Sequence, residues 1–152
     1  MNNPTIYKIE YRDKSTVAIL RTESLEVSDD NFSGAWEDLE FAPNTADLTN
    51  TLVRDSNGND YNETTIRFFV PGTSVEQKSL LSSLAERSHV YRITDGEGKM
   101  YVVGTNSFRT RFTFGEVISA TAAGKKGYDC VITCKSLYGP LVWFDETGSG
   151  VL

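Results

Sequence analysis

The chain has 152 residues and a net charge of −6 at pH 7, with 39% hydrophobic and 24% charged residues. This length predicts one domain, residues 1–152, whose core needs neither a metal nor a disulfide. The acidic balance argues against a protein that wraps nucleic acid, because phosphate binding requires a surplus of Lys and Arg on one face. It is compatible with a negative wall along which DNA slides and, as the simpler interpretation, with a charge that keeps the protein soluble.

The N-terminal residues alternate between apolar and charged side chains. Over Ile6–Asp13, the residues Tyr7, Ile9 and Tyr11 share one face and charged residues occupy the other. A period of two predicts a half-buried strand. A second short β-prone run follows at Thr16–Arg21.

Residues 23–50 show no regular period and are punctuated by Asp, Asn, Gly and Pro. We predict a long loop or arm here, a kind of segment that is usually functional or disordered in compact domains. The aromatic residues Phe32, Trp36 and Phe41 lie among acidic residues of this stretch. They either anchor the arm on a neighbouring subunit or pack back on their own domain.

A hairpin is predicted over Thr51–Val70. Its turn is Ser56–Asn59, where Asn-Gly tolerates the positive φ angles of a tight turn. The segment Asp55–Asp60 has the acidic residues of a calcium loop, but its glycine is fourth and not sixth, so the turn is the better interpretation.

One helix is predicted over residues 73–88. Ser74 with Gln77 forms a capping box, and Thr73 with Glu76 is the alternative register. The helix should place a narrow apolar stripe on a sheet face. The stripe consists of Val75, Leu80, Leu81 and Leu84.

The rest of the chain again predicts strands, with a small basic loop at 122–127 and a flexible C-terminus at 145–152. The predicted strands are Val90–Thr94, Lys99–Val103, Phe108–Phe114, Glu116–Thr121, Tyr128–Leu137 and Leu141–Phe144. The fold class is therefore mainly β (α+β): a β-sandwich or barrel flanked by a single α-helix, with a long irregular loop or arm.

Residues for catalysis are scarce. The single histidine, His89, falls at the expected end of the helix, where it would favour the helix dipole. Cys130 and Cys134 share one strand face about 13 Å apart, too far for a disulfide, so we interpret them as buried apolar residues in a reducing cytoplasm. We expect no enzymatic activity, no cofactor and no metal. No apolar run reaches the roughly 20 residues of a membrane span, and we expect no signal peptide.

Four basic residues would form a positive patch if their two segments pair. They are Arg109, Arg111, Lys125 and Lys126. Such a patch would meet an acidic stretch of a neighbouring subunit, for which Asp29–Glu40 is the candidate. The other interpretation is a solvated face whose ion pairs contribute under about 1 kcal/mol each.

The C-terminal half carries a recognisable pattern. Residues 90–105 read Val-Tyr-Arg-Ile-Thr-Asp-Gly-Glu-Gly-Lys-Met-Tyr-Val-Val-Gly-Thr, Gly127-Tyr128 opens a Thr-containing strand, and residues 138–144 read Tyr-Gly-Pro-Leu-Val-Trp-Phe. This third of the chain resembles small virion proteins of tailed bacteriophages, particularly those that infect Bacteroidetes.

The resemblance implies a tail-tube-like or adaptor-ring fold. The expected function is that of a structural virion protein, forming a ring or tube in the tail or neck along the DNA passage. Its partners would be itself and neighbouring tail, neck or portal proteins, with DNA only as passing cargo and no membrane. It would be made in the host bacterial cytoplasm and reside in the virion. The alternative is a receptor- or carbohydrate-binding β-sandwich of a tail tip, with Trp36, Tyr138 or Trp143 as stacking platforms.

Overall fold

The computed structural model describes residues 6–13, 26–27, 35–72, 74–105, 108–119, 126–137 and 139–143. These residues form two sheets and one helix, which confirms the predicted fold class. The elements are β1 Ile6–Asp13, β2 Glu26–Val27, β3 Glu37–Leu39, β4 Asp47–Val53, β5 Tyr61–Pro71, α1 Val75–Glu86, β6 His89–Asp95, β7 Met100–Val103, β8 Thr110–Ile118, β9 Lys126–Ser136 and β10 Leu141–Trp143. Predictions for Thr16–Arg21, Phe32, Lys125, Tyr138 and 145–152 fall outside the described residues.

The first sheet has six strands in the order β2-β10-β7-β6-β1-β3. Its centre is the β6–β7 hairpin, whose turn is held by the Asp95 carboxylate accepting from the N–H groups of Glu97 and Lys99 at 2.9 and 3.0 Å. The strand β10 then pairs with β7. Residues 89–95, 100–103 and 141–143 therefore form neighbouring strands of one sheet.

The second sheet has four strands in the order β4-β5-β9-β8, and every pair is antiparallel. The central pair, β5 and β9, aligns over Asn62–Pro71 and Gly127–Ser136 without a register shift. Close approach explains the glycine at 127, because a Cβ there would collide with the Val70 carbonyl oxygen and the Phe69 ring. The loop predicted at residues 122–127 ends earlier than expected, because Lys126 is the first residue of β9.

The core lies between the sheets and is closed by α1. One cluster joins Ile9, Tyr91 and Ile93 of the first sheet to Ile66 and Phe112 of the second. We call the face of each sheet that contributes to this cluster its inner face. Along β4 and β8, the even-numbered residues point to that side, because Leu48 is paired with Ile66 and Phe112 with Ile132.

The helix has the predicted capping box. The N–H of Gln77 donates to Ser74 Oγ at 3.2 Å, and the Gln77 side chain returns to the Ser74 N–H at 3.3 Å. Leu81 and Leu84 are buried in the core as predicted. Val75 was wrongly placed in the buried stripe: it is 81% exposed.

The prediction of an irregular arm over residues 23–50 is wrong for several of its described residues. Glu37–Leu39 pairs with β1 and buries Leu39, and residues 47–50 already belong to β4. Neither stretch has an alternating apolar pattern of its own. Their hydrogen-bond partners are distant in sequence, so local periodicity does not reveal these strands.

Candidate assembly interface

Among the described strands, β4 and β8 form the two edges of the four-stranded sheet. Each has a neighbour in that sheet on one side only. Because the sheet contains an even number of strands that are all antiparallel, the two edges run in opposite directions. When one copy is placed beside another with the same orientation, β4 of one copy therefore meets β8 of the next as an antiparallel pair.

Within the described residues, both edge strands lack three features that commonly block pairing with another chain: lysine, proline and a bulge. Proteins also protect edges with very short strands, with other charged side chains or by covering them with a helix or loop. The strand β4 has seven residues, contains no lysine, arginine or proline, and pairs with β5 without a register shift. The strand β8 has nine residues, contains neither lysine nor proline, and pairs with β9 equally regularly, but it carries the charged residues Arg111 and Glu116. Glu116 lies on the inner-face side and forms an ion pair with Lys78 of α1 at 3.8 Å.

Each edge also exposes a large apolar side chain. Leu52 of β4 is 50% exposed and Ile118 of β8 is 65% exposed. Both are even-numbered and therefore lie on the inner-face side of their strands. Single exposed apolar residues are common on protein surfaces, but here they occur on the two strands that form the edges of the sheet.

Beside the first residues of β4 lies a pocket of about 530 Å³ between the two sheets. It is lined by apolar residues and two carboxylates: Ile6, Ala46, Asp47, Leu48, Ile93, Asp95, Tyr101 and Pro140. Its volume falls in the range of ligand pockets, about 300–1,000 Å³. Since Leu48 belongs both to this pocket and to β4, the pocket opens next to one of the free edges.

Trp36, predicted as an anchor for a neighbouring subunit, packs on its own domain. The guanidinium carbons of Arg12 and Arg92 each lie 4.7 Å from the centre of its ring. Its ring also meets Trp143 edge to face, with centroids 6.1 Å apart. These contacts are those expected of the alternative in which Trp36 packs back on its own domain.

These contacts belong to a second layer on the outer face of the six-stranded sheet. Arg92 stacks on both tryptophans and donates two hydrogen bonds of 2.8 Å to the carboxylate of Glu10. Glu10 and Arg12 are only 5% and 4% exposed, although alternation placed them on the solvent side of β1. This layer is not among the features predicted from the sequence. The sequence feature that could have indicated the layer is the presence of two tryptophans, each close to charged residues.

Phe41 likewise packs on its own domain rather than standing free for a partner. Its ring meets Phe68 edge to face with centroids 6.0 Å apart. The next residue, Ala42, donates its N–H to the carbonyl oxygen of Phe69 at 2.8 Å. These bonds hold the chain between β3 and β4 against the end of the core.

The predicted basic patch is not formed by its described members. The two segments do pair, as β8 and β9, but Arg111 lies opposite Thr133 while Lys126 lies opposite Ile118. Seven residues of strand separate the two levels, which is about 23 Å. Arg109 and Arg111 are exposed near one end of the hairpin and Lys126 near the other.

Both cysteines are buried, and the single histidine begins a strand. Burial raises the pKa of Cys130 to about 12 and that of Cys134 to about 11, so both remain thiols near neutral pH. His89 is not at the helix terminus as predicted: it begins β6, with its ring between Tyr11 and Tyr91. Among the described residues, no group of three His, Cys, Asp or Glu side chains is arranged to hold a metal ion.

Comparison of the chain with protein-family models, with curated proteins and with solved structures finds no match. Within the described part of the chain, no helix is long and apolar enough to cross a membrane.

Proposed function

We propose that this protein is a structural component that assembles with copies of itself, edge to edge, into a ring or tube. The observation that carries the proposal is the pair of edge strands, β4 and β8, that bound one regular antiparallel sheet within the described residues. Each copy offers two different edges, so the contact is heterologous and repeats from copy to copy. Such contacts close into a ring where the rotation allows it and otherwise continue as a filament.

The setting we propose is the tail or neck of a tailed bacteriophage, along the DNA passage. Support comes from the resemblance carried by residues 90–105, 127–128 and 138–144. The net charge of −6 suits a conduit, because an acidic surface does not hold the phosphate backbone. Partners would then include neighbouring tail, neck or portal proteins, and the protein would act without catalysis.

The carbohydrate-binding alternative has less support. It requires freely exposed aromatic rings, but Trp143 is 9% exposed, and the guanidinium carbons of Arg12 and Arg92 each lie 4.7 Å from the centre of the half-buried Trp36 ring. Both rings therefore already contact the chain's own residues.

Size-exclusion chromatography with light scattering, followed by negative-stain microscopy of any large peak, tests the proposal. The wild-type chain should give rings or tubes. The edge variant Thr49→Lys/Thr51→Lys should shift the protein to monomers, since lysines on an edge strand oppose the addition of another strand.

The matched control is Thr65→Lys/Thr133→Lys. Thr65 and Thr133 lie level with Thr49 on the same sheet face, but on the central strands β5 and β9. This control should still assemble. A wild-type chain that stays monomeric at every concentration contradicts the proposal. Equal loss of assembly in the edge variant and the control would show that assembly does not depend on the edge strands.

A further inference from the structure

We infer that β4 of one copy pairs with β8 of the next in one defined register, with Leu48 opposite Ile118 and Leu52 opposite Phe114. This inference rests on the proposed function and specifies its joint. It follows from three observations: which side chains share a face, which apolar side chains are exposed, and which part of β8 is already occupied.

The first constraint is the alternation of side chains. A continuous sheet keeps the inner faces of both copies on one side, so even-numbered residues of β4 must lie opposite even-numbered residues of β8. On β4 these are Leu48, Asn50 and Leu52. On β8 they are Thr110, Phe112, Phe114, Glu116 and Ile118.

The second constraint is the start of β8. The hydroxyl of Thr110 donates to the carbonyl oxygen of His89, and the Thr110 carbonyl oxygen accepts from Ser88 at 3.4 Å. The beginning of β6 therefore occupies this end of the edge. A docking strand has to use the later part of β8.

The third constraint is apolar matching. Within Thr110–Ile118, a single antiparallel register gives both Leu48 and Leu52 an apolar partner: Ile118 for Leu48 and Phe114 for Leu52. If β4 is shifted by two residues along β8 towards Thr110, Leu48 lies opposite Glu116. If it is shifted by four residues, Leu52 lies opposite Thr110. The favoured register also brings the Asn50 amide opposite the Glu116 carboxylate.

The pocket beside β4 accounts for the exposed Ile118. Opposed residues of an antiparallel pair have Cβ atoms about 4.5–5.5 Å apart. Ile118 of the next copy would thus lie beside Leu48, at the pocket whose walls include Ile6, Ile93 and Tyr101. The occupant we assign to this pocket is therefore a side chain of a second copy of this chain.

The register also sets the geometry of the assembly. Within one copy, Leu48 pairs with Ile66, Ile66 with Ile132 and Ile132 with Phe112. Leu48 and Phe112 therefore lie at the same height across the sheet. The joint pairs it with Ile118 instead, an offset of six residues or about 20 Å along the strands. Four strands are about 19 Å wide, so a closed ring requires strands tilted by about 46° from its axis, close to the ~35–45° typical of β-barrels.

Disulfide trapping tests the register. Thr49 and Val117 face each other in the inferred joint, so Thr49→Cys/Val117→Cys should oxidise to a ladder of multimers on a non-reducing gel. The control Thr49→Cys/Thr113→Cys keeps the same faces but moves one thiol about 13 Å along β8, beyond disulfide reach. It should give no ladder, and a ladder from the control alone would overturn the register.

Apolar truncation supplies a second measurement. Ile118→Ala should raise the concentration needed for assembly about tenfold, because the joint loses most of the burial of one large apolar side chain. Val75→Ala removes a comparably exposed apolar residue on the helix and should leave that concentration unchanged. If wild-type rings form while neither cysteine pair cross-links and Ile118→Ala assembles normally, the register is wrong and the proposed function stands. A monomeric wild type contradicts both.

Discussion

Glu10 and Arg92 lie directly opposite each other on β1 and β6 and share two hydrogen bonds of 2.8 Å, from Nε to Oε1 and from Nη2 to Oε2. Their side chains are 7% and 15% exposed. The planar guanidinium therefore satisfies the carboxylate in a bidentate manner, while its central carbon lies 4.7 Å from the ring centre of Trp36 and 4.6 Å from that of Trp143. This arrangement ties the chain before β3 to the sheet.

Removing the carboxylate should be costly, because a buried guanidinium would lose its partner. We expect Glu10→Ala to lower the free energy of unfolding by about 3 kcal/mol, measured by urea denaturation. The control is Asp60→Ala, which breaks the exposed Arg54–Asp60 pair at 3.1 Å and should cost under about 1 kcal/mol. Equal losses in the two variants would show that Glu10 is not a buried partner.

The tryptophan layer can be followed by fluorescence, since the chain contains only two tryptophans. In Trp36→Phe the remaining Trp143 should be poorly quenched by acrylamide, because little of its surface is exposed. In Trp143→Phe the half-buried Trp36 should be quenched more strongly. Added sugars should leave both signals unchanged, and sugar-dependent quenching would restore the carbohydrate-binding alternative.

The buried thiols should be unreactive in the folded protein. With the pKa of Cys130 raised to about 12 and that of Cys134 to about 11 by burial, iodoacetamide at pH 9 should label neither until urea is added. Labelling is measured by mass spectrometry. Rapid labelling of the folded chain at pH 9 would contradict the placement of both residues in the core.

The same shifts predict a pH dependence of stability. The folded thiols hold their protons to higher pH than the unfolded thiols, whose ordinary pKa is 9.0. Their contribution is therefore complete below about pH 9 and is lost as the pH rises towards about 12. Cys130→Ala should flatten this loss in urea denaturation series between pH 8 and 11, relative to the wild type at each pH.

Close contact at the central strand pair makes position 127 intolerant of a side chain. In Gly127→Ala the new Cβ would meet the Val70 carbonyl oxygen, the Phe69 ring and the Pro71 Cα. We expect a loss of about 1–3 kcal/mol, measured as a lower urea midpoint. Gly115→Ala on β8 is the control, because nothing lies within 4 Å of its added Cβ, and its midpoint should stay near that of the wild type.

The helix cap has a measurable effect of its own. Ser74→Ala removes the oxygen that accepts from the Gln77 N–H and should cost about 1 kcal/mol by thermal or urea unfolding. Ser79→Ala changes the same residue type at an exposed position inside α1. Since alanine is the better helix former, that control should be neutral or slightly stabilising, and a loss there equal to that of Ser74→Ala would argue against a capping role.

The sequence by itself determined the helix cap and the tight turns, because their hydrogen bonds join residues only a few positions apart. The capping box of Ser74 and Gln77, the turn at Asn57-Gly58, where Gly58 has a φ of 84°, and the Asp95 turn of the β6–β7 hairpin all follow from such rules. The mainly β class with one helix follows from the same signals, together with the alternating runs between them.

Tertiary structure alone decided which strands lie at an edge and which charges are buried. The short β3 and the first residues of β4 exist because β1 and β5 supply hydrogen-bond partners far away in sequence. Alternation placed Glu10 in solvent, whereas packing of both tryptophans on the second face of the sheet buried it. Pairing and burial depend on distant contacts, so the free edges of β4 and β8 became visible only once the sheet order was known.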